Sequence, residues 1–386
     1  MATQKTKNKQ KTIQKGNAYK KDRDKRVINE LNDILNETQS KNFSRNKELD
    51  CALNKLFITT AWGFREIVLV ISVAYLLDER FRASTGLYNC NPRAIYEGPI
   101  KQFLIDNKIP HRKSGPLNIA KATVGLNSEW AAHRRPNDAA KAVVDIVNYI
   151  ENEDVYNRAK EVAVKLLSRL LEFSYEMQQL SVTVKPDNNP EFLYYLCDKL
   201  IVDAPDFGNT PQKIVALLLQ SFHKDSFYNQ DITISGGEDR ASVASTTSKK
   251  PGDINEEVNG KILKVYEVTI KKFDLNRIKD SFDCVSIYNR KNNDNIHEII
   301  VLCRNQDCPD GLTKSNLSGY LGSYTYSGIT YRFLNIQEWI CLTLQHMTNK
   351  ARENFFVSLN EYVSELNTAE SIKRTWKEIC GKIENT

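Results

Sequence analysis

The sequence has no long apolar run, few histidines and no phosphate-binding loop of the ATPase type. Its longest apolar segment, residues 67–77, is well short of the roughly 20 residues that a membrane-spanning helix needs. This segment predicts a buried helix instead. The five histidines are dispersed along the chain, which argues against a histidine-based metal cluster. A Gly-x-x-x-x-Gly-Lys-Ser/Thr motif is missing, so we expect no nucleotide cofactor. Since no apolar segment is long enough to span a membrane, we also expect no membrane partner.

Cysteine is present, but its positions do not favour cross-linking or zinc binding. The eight cysteines are scattered, mostly within apolar stretches where a reduced thiol behaves as a small hydrophobic group. Cys303 and Cys308 are the closest pair, and no second Cys/His pair lies nearby to complete a zinc site. The basic N-terminus is not followed by the apolar stretch of a secretory signal. We therefore expect reduced thiols, no disulfides and a cytoplasmic protein.

Positive charge is concentrated at the N-terminus. The first 26 residues carry ten Lys/Arg against two Asp, a net charge of +8, whereas the whole chain carries +6. The remaining residues therefore sum to −2, and any affinity for a polyanion must come from local patches. A charge run of this kind is typical of a solvated segment, so we predict that residues 1–26 form a disordered basic tail.

The apolar periodicity changes part-way along the chain. From residue 27 to about 225 the apolar spacing follows the helical period, as at Val143, Val147 and Ile150. Four later segments are typical of strands: 231–234, 261–271, 296–302 and 329–333. Helical spacing lies between them at 278–285 and follows them after 336. We predict an α+β chain with a helical domain at 27–225 and a mixed-sheet α/β domain at 226–386.

Carboxylates and a cation recur around the predicted strand 261–271. Alternate side chains of a strand share a face, so Glu267, Thr269 and Lys271 are expected to point away from the apolar core side. Asp253, fourteen positions before Glu267, is expected at the end of an adjoining strand. Two carboxylates that close are tolerated mainly when a cation lies between them. The alternative is an ordinary strand with one solvated polar face.

This pattern predicts a divalent-metal site for phosphodiester hydrolysis. Asp253 and Glu267 are the expected ligands of a divalent cation, which polarises the phosphoryl oxygen and acidifies a water molecule. Lys271 is expected to stabilise the negative charge that develops on the phosphate, with Thr269 holding a water molecule as the other possibility.

Donors suited to phosphate oxygens occur in two further segments. One directly precedes Asp253 and contains Thr247, Ser248, Lys249 and Lys250. The other, residues 108–141, carries seven Lys/Arg against two acidic residues. Nucleic-acid contacts are expected there at Lys113, Ser114, Lys121, Arg134 and Arg135, and at least one of the two arginines is expected to read the major groove. A solvated basic helix face is the alternative.

Three stretches together resemble a known nuclease family. They are NPRAIYEGPI at 91–100, residues 113–130, and TSKKPGDI at 247–254 followed by YEVT at 266–269. Over roughly residues 55–345 the chain resembles the SacI family of type II restriction endonucleases, which belongs to the PD-(D/E)XK nuclease superfamily. The resemblance implies a PD-(D/E)XK-like catalytic domain at 226–386 and a helical DNA-recognition domain at 27–225. It also implies a restriction system, with Mg²⁺-dependent, site-specific cleavage of double-stranded DNA by a homodimer.

On this resemblance Asp253 corresponds to the PD aspartate and Glu267 to the (D/E) residue. Thr269 stands at the usual lysine position, and Lys271 is the candidate replacement. This departure leaves one alternative to the nuclease open, and a second alternative is independent of it. One is a non-catalytic, sequence-specific DNA-binding protein with a degenerate nuclease fold. The other is an enzyme acting on small phosphorylated molecules, which would use the same carboxylates without needing the basic segment 108–141.

Overall fold

The chain divides into two compact units, Met1–Gln178 and Gln179–Thr386, here called the helical unit and the sheet unit. The structure is a computed structural model that describes residues 2–39, 46–58, 62–112, 114–182, 184–225, 231–237 and 250–381, with the backbone alone at 2–19 and 115–117. Two helices before residue 225 share an apolar core with the strands and belong to the sheet unit. The units therefore divide earlier in the chain than the change of periodicity at residue 225.

The helical unit buries one long apolar helix among shorter ones. Its described α-helices are α1 (Ala2–Thr38), α2 (Lys47–Ile58), α3 (Gly63–Leu77), α4 (Ala83–Gly86), α5 (Pro92–Ile95), α6 (Lys101–Asp106), α7 (Gly115–Ala120), α8 (Ser128–Ala132), α9 (Asn137–Asn152) and α10 (Val155–Gln179). Helix α3 is buried on nearly every side, as the apolar segment 67–77 predicts. Helices α9 and α10 each bury one apolar stripe, so the helical interpretation of this half is confirmed.

Helix α1 corrects the prediction for the N-terminus. It begins at Ala2, so the basic segment 1–26, predicted to be disordered, is helical over its described backbone. The segment is rich in Lys, Gln and Arg and contains no proline, and such residues favour helix. Further along, the same helix buries Val27, Leu31 and Ile34 in the core. Because packing stabilises this second half, the helix is already nucleated there and can propagate towards the N-terminus.

The sheet unit is built on one mixed sheet of six strands in the described residues. They are β1 (Thr233–Ser235), β2 (Ile254–Val258), β3 (Lys261–Val268), β4 (Glu298–Cys303), β5 (Tyr320–Tyr326) and β6 (Ile329–Asn335), in the order β1-β2-β3-β4-β6-β5. Strands β3, β4 and β6 run parallel, and the other neighbours pair antiparallel. The predicted α+β class with a mixed sheet is confirmed, although the sequence pattern does not reveal β2 or β5.

Helices cover both faces of this sheet. They are α11 (Pro190–Asp203), α12 (Asn209–Lys224), α13 (Leu275–Asn292), α14 (Ile336–His346), α15 (Asn349–Ser364) and α16 (Glu370–Cys380). Helix α13 connects the parallel strands β3 and β4 and packs on the face that carries Val265 and Val301. The other helices pack on the face that carries Tyr266 and Leu302. No helix in the described ranges combines the length and the hydropathy that a membrane span requires.

Strands β2 and β3 form a hairpin with a two-residue loop. Asn259 and Gly260 both have positive φ angles, as tight hairpin loops require. The register shifts by one residue between Glu256 and Glu257, a β-bulge that leaves Leu263 without a partner in β2. The hairpin brings the start of β2 beside the end of β3.

Candidate functional site

Asp253 and Glu267 lie together where β2 begins and β3 ends. Asp253 directly precedes β2, and its Oδ2 accepts a hydrogen bond from the Val268 amide at 3.0 Å. The Asp253 carboxyl also lies close enough to the carboxyl of Glu267 for each to affect the pKa of the other. Gly252 permits this close approach, because a Cβ atom there would lie 2.3 Å from Val265 Cγ1. The structure thus brings together the two carboxyl groups that the sequence selects.

The Glu267 carboxyl is buried between β3 and α13. Its Oε1 accepts a hydrogen bond from Ser281 Oγ at 3.1 Å, and 5% of the residue is exposed. Burial and the neighbouring Asp253 raise the pKa of Glu267 to about 8, although Arg277 and Ser281 act in the opposite direction. Burial also raises the pKa of Asp253. A buried pair of this kind retains a proton unless a cation replaces it.

A guanidinium supplies positive charge beside this pair. Arg277 Nη1 donates to Thr269 Oγ1 at 2.5 Å, and its guanidinium carbon lies 4.8 Å from the centre of the Phe273 ring. The Asp274 side chain accepts a hydrogen bond from the Arg277 amide and caps α13, which fixes the first turn of the helix. The charge of Arg277 acts to lower the pKa of both carboxyls.

Lys271 does not belong to the strand. Strand β3 ends at Val268, and in the turn that follows Thr269 Oγ1 donates to the Lys271 carbonyl and accepts from the Lys271 amide. These local hydrogen bonds compete with the strand ladder and end it. The Lys271 side chain is exposed. The prediction of one strand to residue 271, with Glu267, Thr269 and Lys271 on a single face, is therefore wrong beyond Val268.

The oxygen atoms at this site fit a hard divalent cation. Mg²⁺ is commonly held by one or two carboxylates, with water and substrate phosphate completing its coordination. Asp253 and Glu267 provide such a pair, and the raised pKa values of both carboxyls mark the place where a cation would relieve the repulsion between two carboxylates. Within the described ranges, no group of three or more His, Cys, Asp or Glu residues is arranged to bind a metal. A cation here would rely on the two carboxylates.

The structure describes only some of the predicted DNA-contacting residues. Four of them lie outside the described residues: Lys113, Thr247, Ser248 and Lys249. Lys250 is half-buried and lies three residues before Asp253, on the segment that leads into the carboxylate pair. In the helical unit, Ser114 is half-buried and Lys121 is exposed.

Arg134 and Arg135 differ in their contacts. Arg134 Nε donates to the Ile119 carbonyl at 2.8 Å, and its Nη2 donates to Thr123 Oγ1 at 3.2 Å, so this side chain fastens the loop after α7. The buried Trp130 donates to the same carbonyl at 3.1 Å, which places it in the core. Arg135 is exposed and donates to the carbonyls of neighbouring residues. Arg135 is therefore better placed than Arg134 to contact a ligand.

Arg277 and Ser281 are not singled out by the sequence pattern. The helical spacing at 278–285 predicts α13, and residues four positions apart then share one face of that helix. That this face covers Glu267 depends on how α13 packs against β3, which is a long-range property of the fold.

A scan against models of known protein families finds no match to this chain, and neither does a search of curated proteins. The assignment of a function therefore depends on the chemistry and geometry of the site.

Proposed function

We propose that the sheet unit is a Mg²⁺-dependent nuclease of the PD-(D/E)XK type and that the protein acts as a type II restriction endonuclease on double-stranded DNA. The observation that carries this proposal is the pairing of Asp253 with Glu267 at a strand junction, beside the Arg277 guanidinium. Hydrolysis of a phosphodiester needs ligands for a metal ion and positive charge near the phosphoryl oxygens. The mixed sheet is compatible with such a nuclease domain.

The side chains of the site have different roles in the proposed reaction. Bound Mg²⁺ supplies Lewis-acid polarisation of the phosphoryl group and an acidified water molecule. Asp253, oriented by the Val268 amide, and Glu267, oriented by Ser281 Oγ, would hold the metal ion when both carboxyl groups are ionised. Arg277, held by Thr269 Oγ1, supplies charge for the negative oxygens that develop on the phosphate.

Arg277 takes the part that the resemblance gives to a lysine at position 269. Its guanidinium carries several donors in a planar array, and such arrays bind phosphate with two hydrogen bonds. Thr269 then positions the Arg277 guanidinium and carries no positive charge itself. Lys271, whose side chain is exposed in the turn after β3, is the second candidate for the same role.

DNA binding by the helical unit belongs to the same proposal. The basic segment 108–141 presents Lys121 and Arg135 at the surface, where a duplex can reach both. Arg135 is the candidate for a contact to guanine, and Lys121 for a contact to the backbone. A homodimer would match the two-fold symmetry of a palindromic site.

The test is Mg²⁺-dependent cleavage of a mixed panel of plasmid and phage DNA by the full chain. Asp253→Ala and Glu267→Ala should each abolish cleavage and leave DNA binding in Ca²⁺ largely intact, because each removes a metal ligand rather than a phosphate contact. Glu257→Gln, which changes a half-buried carboxylate of β2, is the matched control and should cut at the wild-type rate. An alanine variant that cuts at nearly the wild-type rate would mean that the active site lies elsewhere.

A non-catalytic DNA-binding protein is the second candidate. It is favoured by the absence of a lysine at Thr269 and by the deep burial of Glu267. It predicts that the wild-type chain binds DNA and cleaves none of the panel with Mg²⁺ or Mn²⁺. Cleavage of a small phosphodiester, with none of DNA, would instead favour an enzyme acting on small phosphorylated molecules.

A further inference from the structure

A pair of thiols lies at the carboxyl end of β4. Cys303 is the last residue of the strand and is fully buried, whereas Cys308 is half-buried at the end of the short helical turn Asn305–Asp307. Their Sγ atoms are 3.8 Å apart and in hydrogen-bond contact. A disulfide has an S–S distance of about 2.05 Å, so closing the bond needs a shift of about 2 Å.

We propose that Cys303 and Cys308 form a reversible disulfide when the protein meets a mild disulfide oxidant, which makes the pair a modification site. Cys308 is the more accessible of the two thiols and reacts first. Its thiolate attacks one sulfur of the oxidant and releases one small thiol. Cys303 then loses its proton and attacks Cys308 Sγ, releasing the second small thiol. The two protein thiols lose two hydrogen atoms, and the oxidant disulfide becomes two thiols.

The surroundings support this order of reaction. The hydrogen bond from Cys303 lowers the pKa of Cys308, which favours formation of the attacking thiolate at the more accessible of the two positions. Cys303 is held by the pairing of β4 with β6, where it lies opposite Asn335. The shift needed for bond formation therefore falls on Cys308 and the turn that precedes it.

The turn Asn305–Asp307 is hydrogen-bonded to the segment that follows β3. The Asp307 carbonyl accepts a hydrogen bond from the Phe273 amide at 2.7 Å. Arg304 pairs with the Asp307 carboxylate at 2.6 Å and donates to the Ile270 carbonyl at 2.5 Å. Movement of Cys308 displaces its neighbour Asp307, and with it the support for residues 269–273. Oxidation therefore loosens the segment that carries Thr269, and so slows DNA cleavage; this last effect rests on the proposed function.

The experiment treats the full chain with oxidised glutathione and identifies the cysteine peptides by mass spectrometry. The wild-type protein should give a linked Cys303–Cys308 peptide that dithiothreitol separates. Cys308→Ser should give no link, and Cys341→Ser, a change of another half-buried cysteine, should leave the link intact. The exposed Cys51 shows that the oxidant has reacted. If Cys51 is modified while Cys303 and Cys308 stay reduced, the proposal is overturned.

A second variant separates the two steps. Cys303→Ala leaves Cys308 without a resolving thiol, so a glutathione adduct should accumulate on Cys308. A Cys308 that remains unmodified in this variant would contradict its role as the attacking thiol. If Cys303→Ala fails to fold, the wild-type and Cys308→Ser results still decide whether the disulfide forms.

The structural effect is measured without DNA. Hydrogen–deuterium exchange at the Phe273 amide should be roughly three- to tenfold faster in the oxidised protein, as expected for losing one hydrogen bond. Unchanged exchange would show that the disulfide forms without loosening residues 269–273. Since neither readout uses cleavage, failure of the disulfide and failure of the nuclease function give different results.

Discussion

Replacing Glu267 by glutamine should remove the pH dependence that the buried carboxyl pair gives to the sheet unit. In the metal-free protein, burial and Asp253 raise the pKa of Glu267 from 4.5 to about 8. Glutamine has nearly the same shape, keeps an oxygen for Ser281 and an N–H for Asp253, and has no proton to lose in this range.

The sign follows from proton counting. Between pH 4.5 and about pH 8 the folded chain holds a proton at this pair that the unfolded chain has released. The free energy of unfolding therefore falls as the pH rises through this window, and it levels off above it. The upward pKa shift of Glu267 corresponds to roughly 3–5 kcal/mol across the window.

The assay is urea unfolding in EDTA at several pH values between 5 and 9. Unfolding is monitored by hydrogen exchange of peptides from β3, so that the free energy of unfolding of the sheet unit is measured separately from that of the helical unit. The Val268 amide, which donates to Asp253, is the most direct reporter. Glu267→Gln should match the wild type near pH 5 and exceed it by roughly 3–5 kcal/mol above pH 8. Adding Mg²⁺ at tenfold over its dissociation constant should restore about 1.4 kcal/mol to the wild type and nothing to the variant.

Glu298→Gln is the control, because this carboxylate lies in β4 but is exposed. It should leave the pH profile unchanged. Parallel profiles for the wild type and Glu267→Gln would refute the reasoning, since they would mean that no proton is shared between the buried carboxyls.

Three further predictions concern charged side chains. Arg277→Ala should lower the cleavage rate by about 10²–10³-fold in single-turnover assays, and Lys271→Ala by much less, because the guanidinium lies beside the carboxylates; the reverse order would return the role to Lys271. Arg134→Ala should lower the free energy of unfolding of the helical unit by about 1–3 kcal/mol, since it removes hydrogen bonds to a loop, whereas Arg135→Ala should leave stability unchanged and weaken DNA binding. Equal effects of these two changes on thermal unfolding would contradict the assignment. Lys165→Ala should cost about 3–5 kcal/mol in urea unfolding, because the buried ammonium pairs with two carboxylates; a loss below about 1 kcal/mol would contradict that estimate.

Local patterns predict the parts of the fold that local physics determines. The uniformly apolar segment 67–77 predicts the buried helix α3, and alternation in β3 correctly assigns Tyr266 and Val268 to the core. Strand β2 is five residues long with a polar, acidic sequence, so it has no strand signature of its own and forms through its pairing with β3. The sequence pattern also predicts a strand β3 that is too long. Alternation of apolar and polar residues does not indicate the hydrogen bonds between Thr269 and Lys271 that end the strand.

Some residues of the candidate site can likewise be predicted from local sequence, and others cannot. Asp253 and Glu267 can be selected from sequence because a hairpin brings them together over a short stretch of chain. Arg277 comes from a helix that crosses between parallel strands, and its position depends on the packing of α13 over the sheet. Strand alternation therefore favours Lys271, a cation expected on the same face as Glu267, whereas the structure puts the Arg277 guanidinium beside the carboxylates.

The bulge in the β2–β3 hairpin decides whether the two carboxylates can meet. In a regular hairpin with a two-residue loop, partners are an odd number of positions apart, as Val258 and Lys261 are. Asp253 and Glu267 are 267 − 253 = 14 positions apart, an even number. A strictly regular hairpin would therefore direct them to opposite faces of the sheet. The additional residue, Leu263, changes this parity, so an exposed leucine that takes no part in the chemistry is a condition for assembling the site.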